Sequence, residues 1–347
     1  MTDPADNMRP EPGGSTSAQA ADSFDWRLVL AILAGTLILT LLMLRIPIVG
    51  EDWVHGFRRG LYNNNFFPPW VIPLLQPLLA LPARTGAAII QSLAICTSTL
   101  LTYRAGRQTF ADSHLPAAMG VVLVLLSAPL WLLLWLGQIE PFVLLGIASL
   151  PVGIPLLFFK PHMGPFVVLG SWRDFLLTVG LLALSLLIWG LWPLGLLTQV
   201  VTDRVLNAIA MGWLSTTPVI GVLGLLMLVF TDRDPWRLMA TALFISPYSM
   251  PYHFYLLLPA LGRVRGYRQM ALWLTAFLAL AVAGLQTVPV KILAMVFPLL
   301  VWLLLAPSLR PRDILNDPDT LIMRARHGTR QVWDRLHTHP PAQETTP

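Results

Sequence analysis

Charge is what this sequence has least of. Only 12% of its 347 residues are Asp, Glu, Lys or Arg, where a soluble globular domain carries about 25%. The mean hydropathy is +0.66, which excludes an ordinary water-soluble chain. There is one cysteine, Cys96, inside an apolar run. It excludes a disulfide framework and reads as a small packing residue. No His-x-x-x-His or His-Glu-x-x-His pattern occurs, so a protein-held metal is not expected. No Gly-rich phosphate loop occurs either, so a nucleotide site is not expected. The apolar runs lack the alternation of a barrel strand. No repeat of fixed period is visible, which leaves an inverted-repeat transporter without support.

What the sequence does have is apolar runs of about 17–25 residues, the length needed to cross a bilayer as a helix. The expected fold is all-α, a polytopic membrane protein. Spans are expected over 27–48, 115–136, 175–200, 216–231, 270–286 and 289–306. Residues 86–103 make a helix, but the prolines at 68, 69, 73, 77 and 82 leave two readings of 68–103. These are two full crossings, or one crossing plus a half-helix or surface helix, and positive-inside counting prefers the second. Residues 142–159 are broken at Pro151, Gly153 and Pro155. They either cross once or form a hairpin of half-helices. Residues 238–262 are read as two short helices split at 246–253. Residues 1–22 are expected to be a disordered tail, with 23–306 as the membrane domain and no cleavable signal peptide. The tail 307–347 carries a basic amphipathic pattern suited to an anionic membrane surface.

The net charge of +5 comes mainly from arginines at segment ends, a pattern that reports orientation rather than nucleic-acid binding. Placing Arg104/Arg107, Arg173, Arg233/Arg237, Arg263/Arg265/Arg268 and Arg310/Arg312 in the cytoplasm gathers Asp52, Gln138, Asn207, His253 and Gln286 on the opposite face. The count closes at about ten crossings with both termini cytoplasmic.

Chemistry must then come from a few polar residues at that edge. Asp52 stands among Trp53, Phe57 and Phe66, where partial desolvation suits a carboxylate to general-base work. Glu51 is placed to share that role or to raise its neighbour's pKa. Arg58 and Arg59 lie on the same loop, and a guanidinium pair matches a phosphate. Gln138 and Glu140 follow a span end and offer hydrogen bonds to a polar ligand. Lys160 sits between apolar segments, where an ammonium is costly enough to suggest function. It reaches the Asp52 face only if 142–159 is a hairpin. His253 occupies a Pro-rich break, which membrane depth tolerates beside a cavity, with Tyr248, Tyr252 and Tyr255 as candidate pocket walls.

Four elements in order suggest a family. An acid after the first span leads to Phe67-Pro68-Pro69 and on to Pro77 and Pro82. Gly137-Gln138-Ile139-Glu140 and Lys160-Pro161 follow, with Pro165 beyond. Then comes Ser246-Pro247-Tyr248-Ser249-Met250-Pro251-Tyr252-His253. Together they resemble the GT-C glycosyltransferases, and within them the bacterial polyprenol-phosphate-mannose-dependent mannosyltransferases. The family patterns are Gly-Gln-x-Asn and Ser-Pro-x-Ser-Trp-x-His-His. This chain has Glu140 for the Asn, Met250 for the Trp, and one His of the pair.

The resemblance implies a multi-pass enzyme of the plasma (inner) membrane without a cofactor. Its partners would be a polyprenyl-phosphate sugar donor, a lipid or glycan acceptor and membrane lipids. The sugar, mannose or another hexose or pentose, would be transferred with inversion on the extracytoplasmic face. Asp52 would serve as base. Arg58, Arg59, Lys160 and His253 would stabilise the leaving phosphate. The alternative is a non-catalytic membrane protein, either a transporter or an accessory subunit of a membrane complex.

Overall fold

The computed structural model describes residues 25–46, 50–58, 67–202, 211, 218–285 and 287–306. The terminal tails lie outside this set, as do Arg59, Asn207 and Gln286. Among the described residues the chain is helical and contains no strand. Four helices are long and apolar enough to cross a membrane: Trp26–Met43, Ala83–Thr109, Trp172–Trp189 and Tyr267–Leu285. Leu115–Leu125 and Ala128–Leu136 add a fifth if taken as one span bent by 45°. The surface agrees with that reading. Leu37 is 68% exposed, Leu187 84% and Val229 74%, an arrangement suited to lipid rather than water. The protein thus fits a helical membrane protein.

Helix α1 (Trp26–Met43) starts where the Asp25 side chain accepts a hydrogen bond from the Leu28 N–H at 3.2 Å, the usual N-cap device. Its buried face carries Ile32, Thr36 and Thr40. The two hydroxyls donate back to the carbonyls of Ile32 and Thr36 at 2.7 Å, which satisfies them without water.

After the left-handed turn at Gly50, a short π-helical segment, Trp53–Phe57, buries Trp53 and Phe57. Helix α2 (Val71–Leu79) holds Pro77 and spans only nine residues. Helix α3 (Ala83–Thr109) runs for 27 residues, about 40 Å. Residues 68–103 are therefore one long helix preceded by a short one.

α3 is the axis of the molecule. Its buried positions are mostly small, including Gly86, Ala87, Ala88, Ser92, Ala94, Ser98, Ala105 and Gly106, and small residues let other backbones come close. α1 lies antiparallel to it. Arg104 at the far end of α3 pairs with Asp25 at 2.7 Å, and Gly86 at the near end packs on the Trp53 indole.

The closest neighbour is the segment Pro251–Arg263, a 3-10 helix of 13 residues. Such helices rarely exceed three or four residues, and this one covers about 26 Å at its usual rise. It is buried along most of its length. Gly262 lies so close to α3 that an added Cβ would stand 2.0 Å from the Thr102 carbonyl oxygen and 2.9 Å from the Gly106 nitrogen.

Two other stretches are less regular than expected. Residues 142–159 are a tight hairpin of α6 (Glu140–Ala148) and α7 (Ile154–Leu157), following α4 (Leu115–Leu125) and α5 (Ala128–Leu136). A Cβ on Gly153 would fall 2.3 Å from both the Gly146 oxygen and the Ser149 Oγ. The run 175–200 breaks at Gly190, between α8 (Trp172–Trp189) and α9 (Trp192–Thr202).

One end of the bundle collects the arginines. Besides the Asp25–Arg104 pair, Arg263 meets Asp234 at 2.7 Å and Arg237 meets Asp232 at 2.9 Å. Arg265 covers the Phe110 ring, and Gly170 abuts the Arg233 backbone. Arg237 also stacks over Trp302 and donates to the carbonyls of Trp302 and Phe230. Asp232-Arg233-Asp234 gives this end an Asp-x-Asp spacing. Its carboxylates serve those two arginines, and Asp234 also accepts from the Trp236 and Arg237 N–H groups.

Replacing Gly262 with Ala should lower the melting temperature of the detergent-solubilised protein. The destabilisation expected is about 1–3 kcal/mol, the range for inserting a methyl into a filled site. Gly180→Ala on α8, where nothing lies within 4 Å, should not lower it and should raise it slightly, since Ala favours a helix over Gly.

Candidate functional site at the opposite end

Two left-handed glycines build the floor of the other end. Gly50 has φ +62° and Gly137 φ +69°, backbone that a side chain rarely adopts. They are back to back, and a Cβ on Gly137 would lie 2.8 Å from Gly50 Cα. Gly137 closes α5, its N–H donating to the Leu133 carbonyl at 2.8 Å, the common glycine stop for a helix. The Gln91 amide on α3 donates to the Leu134 carbonyl at 2.9 Å. Two turns far apart in sequence are thereby fixed together, and Gln138 donates from its side-chain amide to Asp52 Oδ2.

The α6–α7 hairpin adds the second half. Because the chain doubles back, Lys160 returns to the position from which α6 departs. Its Nζ lies 2.7 Å from Glu140 Oε1, with the two side chains 7% and 0% exposed. The Tyr252 ring also lies against Lys160, 5.3 Å from Nζ to centroid. His253, fully buried, presents Nε2 to the same Glu140 oxygen at 3.4 Å. Its Nδ1 accepts the Met250 backbone N–H at 3.0 Å. That bond leaves Nδ1 without a proton, so a neutral His253 carries its hydrogen on Nε2, which is close to Glu140 but makes no hydrogen bond. His162 joins from the turn after Lys160. Its ring packs 4.4 Å from Tyr248 and 5.7 Å from His253.

Of the residues singled out from sequence, Asp52 and Gln138 meet, as do Glu140, Lys160 and His253, with Tyr248 and Tyr252 beside them. The two groups share one electrostatic neighbourhood, because the Lys160 charge acts on Asp52. Lys160 therefore sits on the Asp52 side.

Others do not join. Glu51 is about half exposed and faces His55 at 3.8 Å. Arg58 is exposed at the end of the π-helical segment, and Arg59 is outside the described residues. Tyr255 is not a pocket wall. It is buried against α3, its hydroxyl bonded to Thr97 at 2.7 Å and to the Ala94 carbonyl at 2.8 Å. His162 was not anticipated. The signal for it was its place two residues after Lys160, in a turn closed by Met163 and Gly164 N–H groups on the Lys160 carbonyl. Among the described residues no three His, Cys, Asp or Glu side chains form a metal-holding group.

Burial is the main reason that the Asp52 carboxyl is pushed above the usual aspartate range. The Gln138 hydrogen bond and the Lys160 charge oppose the shift, and the Glu51 charge adds to it. The arrangement offers a carboxylate that binds a proton readily, a buried ammonium, and an imidazole N–H, all at one end of the bundle.

No family model, curated protein or solved structure matches this chain.

Carbodiimides react with protonated carboxyls, so a hydrophobic carbodiimide should modify Asp52 at pH values where an ordinary aspartate is already ionised. Peptide mass spectrometry across a pH series would read the midpoint. A midpoint at or below that of a free aspartate would contradict the burial argument.

Proposed function

We propose that this protein is a polyprenyl-phosphate-dependent glycosyltransferase of the GT-C type. The reading has about ten passes across the plasma membrane, both termini in the cytoplasm, and the Asp52 end facing outward. The supporting observation is that a part-buried carboxylate, a buried ammonium and an imidazole N–H lie at the same end of the bundle. Sequence motifs of the GT-C resemblance supply each of these groups.

In this reading Asp52 removes the proton from an acceptor hydroxyl as its oxygen attacks the anomeric carbon of the donor sugar. The bond from that carbon to the phosphate oxygen breaks, and its electron pair leaves with the polyprenyl phosphate. A new bond on the opposite face inverts the configuration. Gln138 orients Asp52 by holding one carboxylate oxygen, leaving the other for the acceptor. Lys160 and His253 Nε2–H are directed at the negative charge that grows on the leaving phosphate, fixed in place before the reaction as electrostatic stabilisation requires. Tyr248 and His162 line the same side. The acceptor is a lipid or glycan hydroxyl, and the sugar a hexose such as mannose or a pentose.

A second reading has its own observation. Glu140 already neutralises Lys160, so the cluster also suits a non-catalytic membrane subunit.

Transfer from a panel of polyprenyl-phosphate sugars separates the two. Asp52→Asn should reduce the rate by about 10²–10⁴ while membrane insertion and melting temperature hold. The wild-type rate should rise with pH through the elevated Asp52 pKa, since only the ionised carboxylate accepts the proton. Full activity in Asp52→Asn would remove Asp52 as the base, and inactivity of the wild type on every donor would favour the non-catalytic reading.

A further inference from the structure

We infer that Glu140 is a resident counter-ion, which the phosphate of a bound lipid must displace from Lys160. The inference rests on the phosphate-binding reading of this site. One carboxylate oxygen, Glu140 Oε1, touches Lys160 Nζ at 2.7 Å and faces His253 Nε2 at 3.4 Å. The two groups expected to grip a phosphate oxygen are thus already converged on an oxygen that belongs to the protein. Glu140 is fully buried, and beyond the ion pair with Lys160 neither of its carboxylate oxygens has a side-chain hydrogen-bond partner. It opens α6, where the helix N-terminus favours a negative charge. The carboxylate is therefore held by Lys160 and the helix end alone, without the extra hydrogen bonds that normally lock a buried ion pair.

The charges then decide the outcome. Lys160 and Glu140 cancel. Among the described residues the other titratable groups around them include Asp52, His162, His253, Tyr252 and Tyr255. A sugar phosphodiester brings one negative charge next to Glu140, and the phosphate monoester left after transfer brings nearly two. Like charges in a poorly solvated site repel strongly, so Glu140 opposes the product more than the donor. Lys160 keeps a second support as Glu140 withdraws, since the Tyr252 ring lies 5.3 Å from its Nζ. Glu140 therefore sets affinity for phosphate and speeds release of the spent carrier.

The test is binding of farnesyl phosphate, with farnesol as the neutral control, to the full-length protein in detergent. Glu140→Gln should bind farnesyl phosphate roughly tenfold tighter than wild type, with farnesol affinity unchanged. Without ligand it should melt lower than wild type, because Lys160 is left buried and unpaired. The double variant Glu140→Gln/Lys160→Met carries no buried charge at either position. It should regain stability and lose the gain in phosphate affinity. Equal or weaker phosphate binding by Glu140→Gln would overturn the counter-ion role, leaving Glu140 as a brace that positions Lys160. Tight phosphate binding by the double variant would overturn Lys160 as the anchor. Failure of the wild type to bind farnesyl phosphate in preference to farnesol would overturn the phosphate-site reading itself, and the inference with it.

Discussion

The contact between Glu140 and Lys160 is the interaction on which the candidate site depends. Transferring either charge alone into this environment costs several kcal/mol. Together, at 2.7 Å, they are tolerable, and the requirement that they stay together fixes the chain on both sides. Lys160 reaches Glu140 only because α6 and α7 fold back, and they fold back only because Gly146 and Gly153 allow backbone contact. With the pair in place, Tyr252 and His253 are drawn to it from a segment about a hundred residues further on. A local charge problem thus organises three distant stretches of sequence.

A second constraint is steric and acts along the axis. α3 is lined by small residues, and the Pro251–Arg263 segment presses Gly262 against it. In that contact the Tyr255 hydroxyl is satisfied within the protein, by Thr97 and the Ala94 carbonyl. Hydrocarbon surroundings offer no water to complete unfinished hydrogen bonds, so close packing and internal bonding have to coincide. Leucine and valine on α1, α8 and Pro218–Val229 are instead among the exposed residues.

Much of this was legible in the sequence because arginine and apolar runs obey strong, separable rules. The turns holding Arg104, Arg237 and Arg263 assemble at one end, and Asp52, Gln138 and His253 at the other, as charge counting expected. Proline crowding before residue 83 correctly suggested a short element ahead of α3. Other features resisted for physical reasons. An apolar run of 142–159 is long enough for one crossing, and hydropathy does not reveal a reversal that rests on glycine contacts. The 3-10 winding of Pro251–Arg263 leaves no trace in composition, since its residues are equally at home in an α-helix. Glu51 and Asp52 are adjacent and chemically alike. The π-helical segment that follows them sends one toward Gln138 and the other toward His55, a distinction of backbone path alone. His162 was hidden because its partners, Tyr248 and His253, are remote in sequence.

The 3-10 segment has one more implication. His253 near its start meets Glu140, and Arg263 at its end meets Asp234. It therefore works as a gauge between the two faces of the molecule. Each residue in such a helix adds about 2 Å and a third of a turn. Loss or gain of a single residue would leave one terminus out of reach and facing the wrong way, whatever its identity. Side chains along this stretch have some freedom to vary, but its length does not.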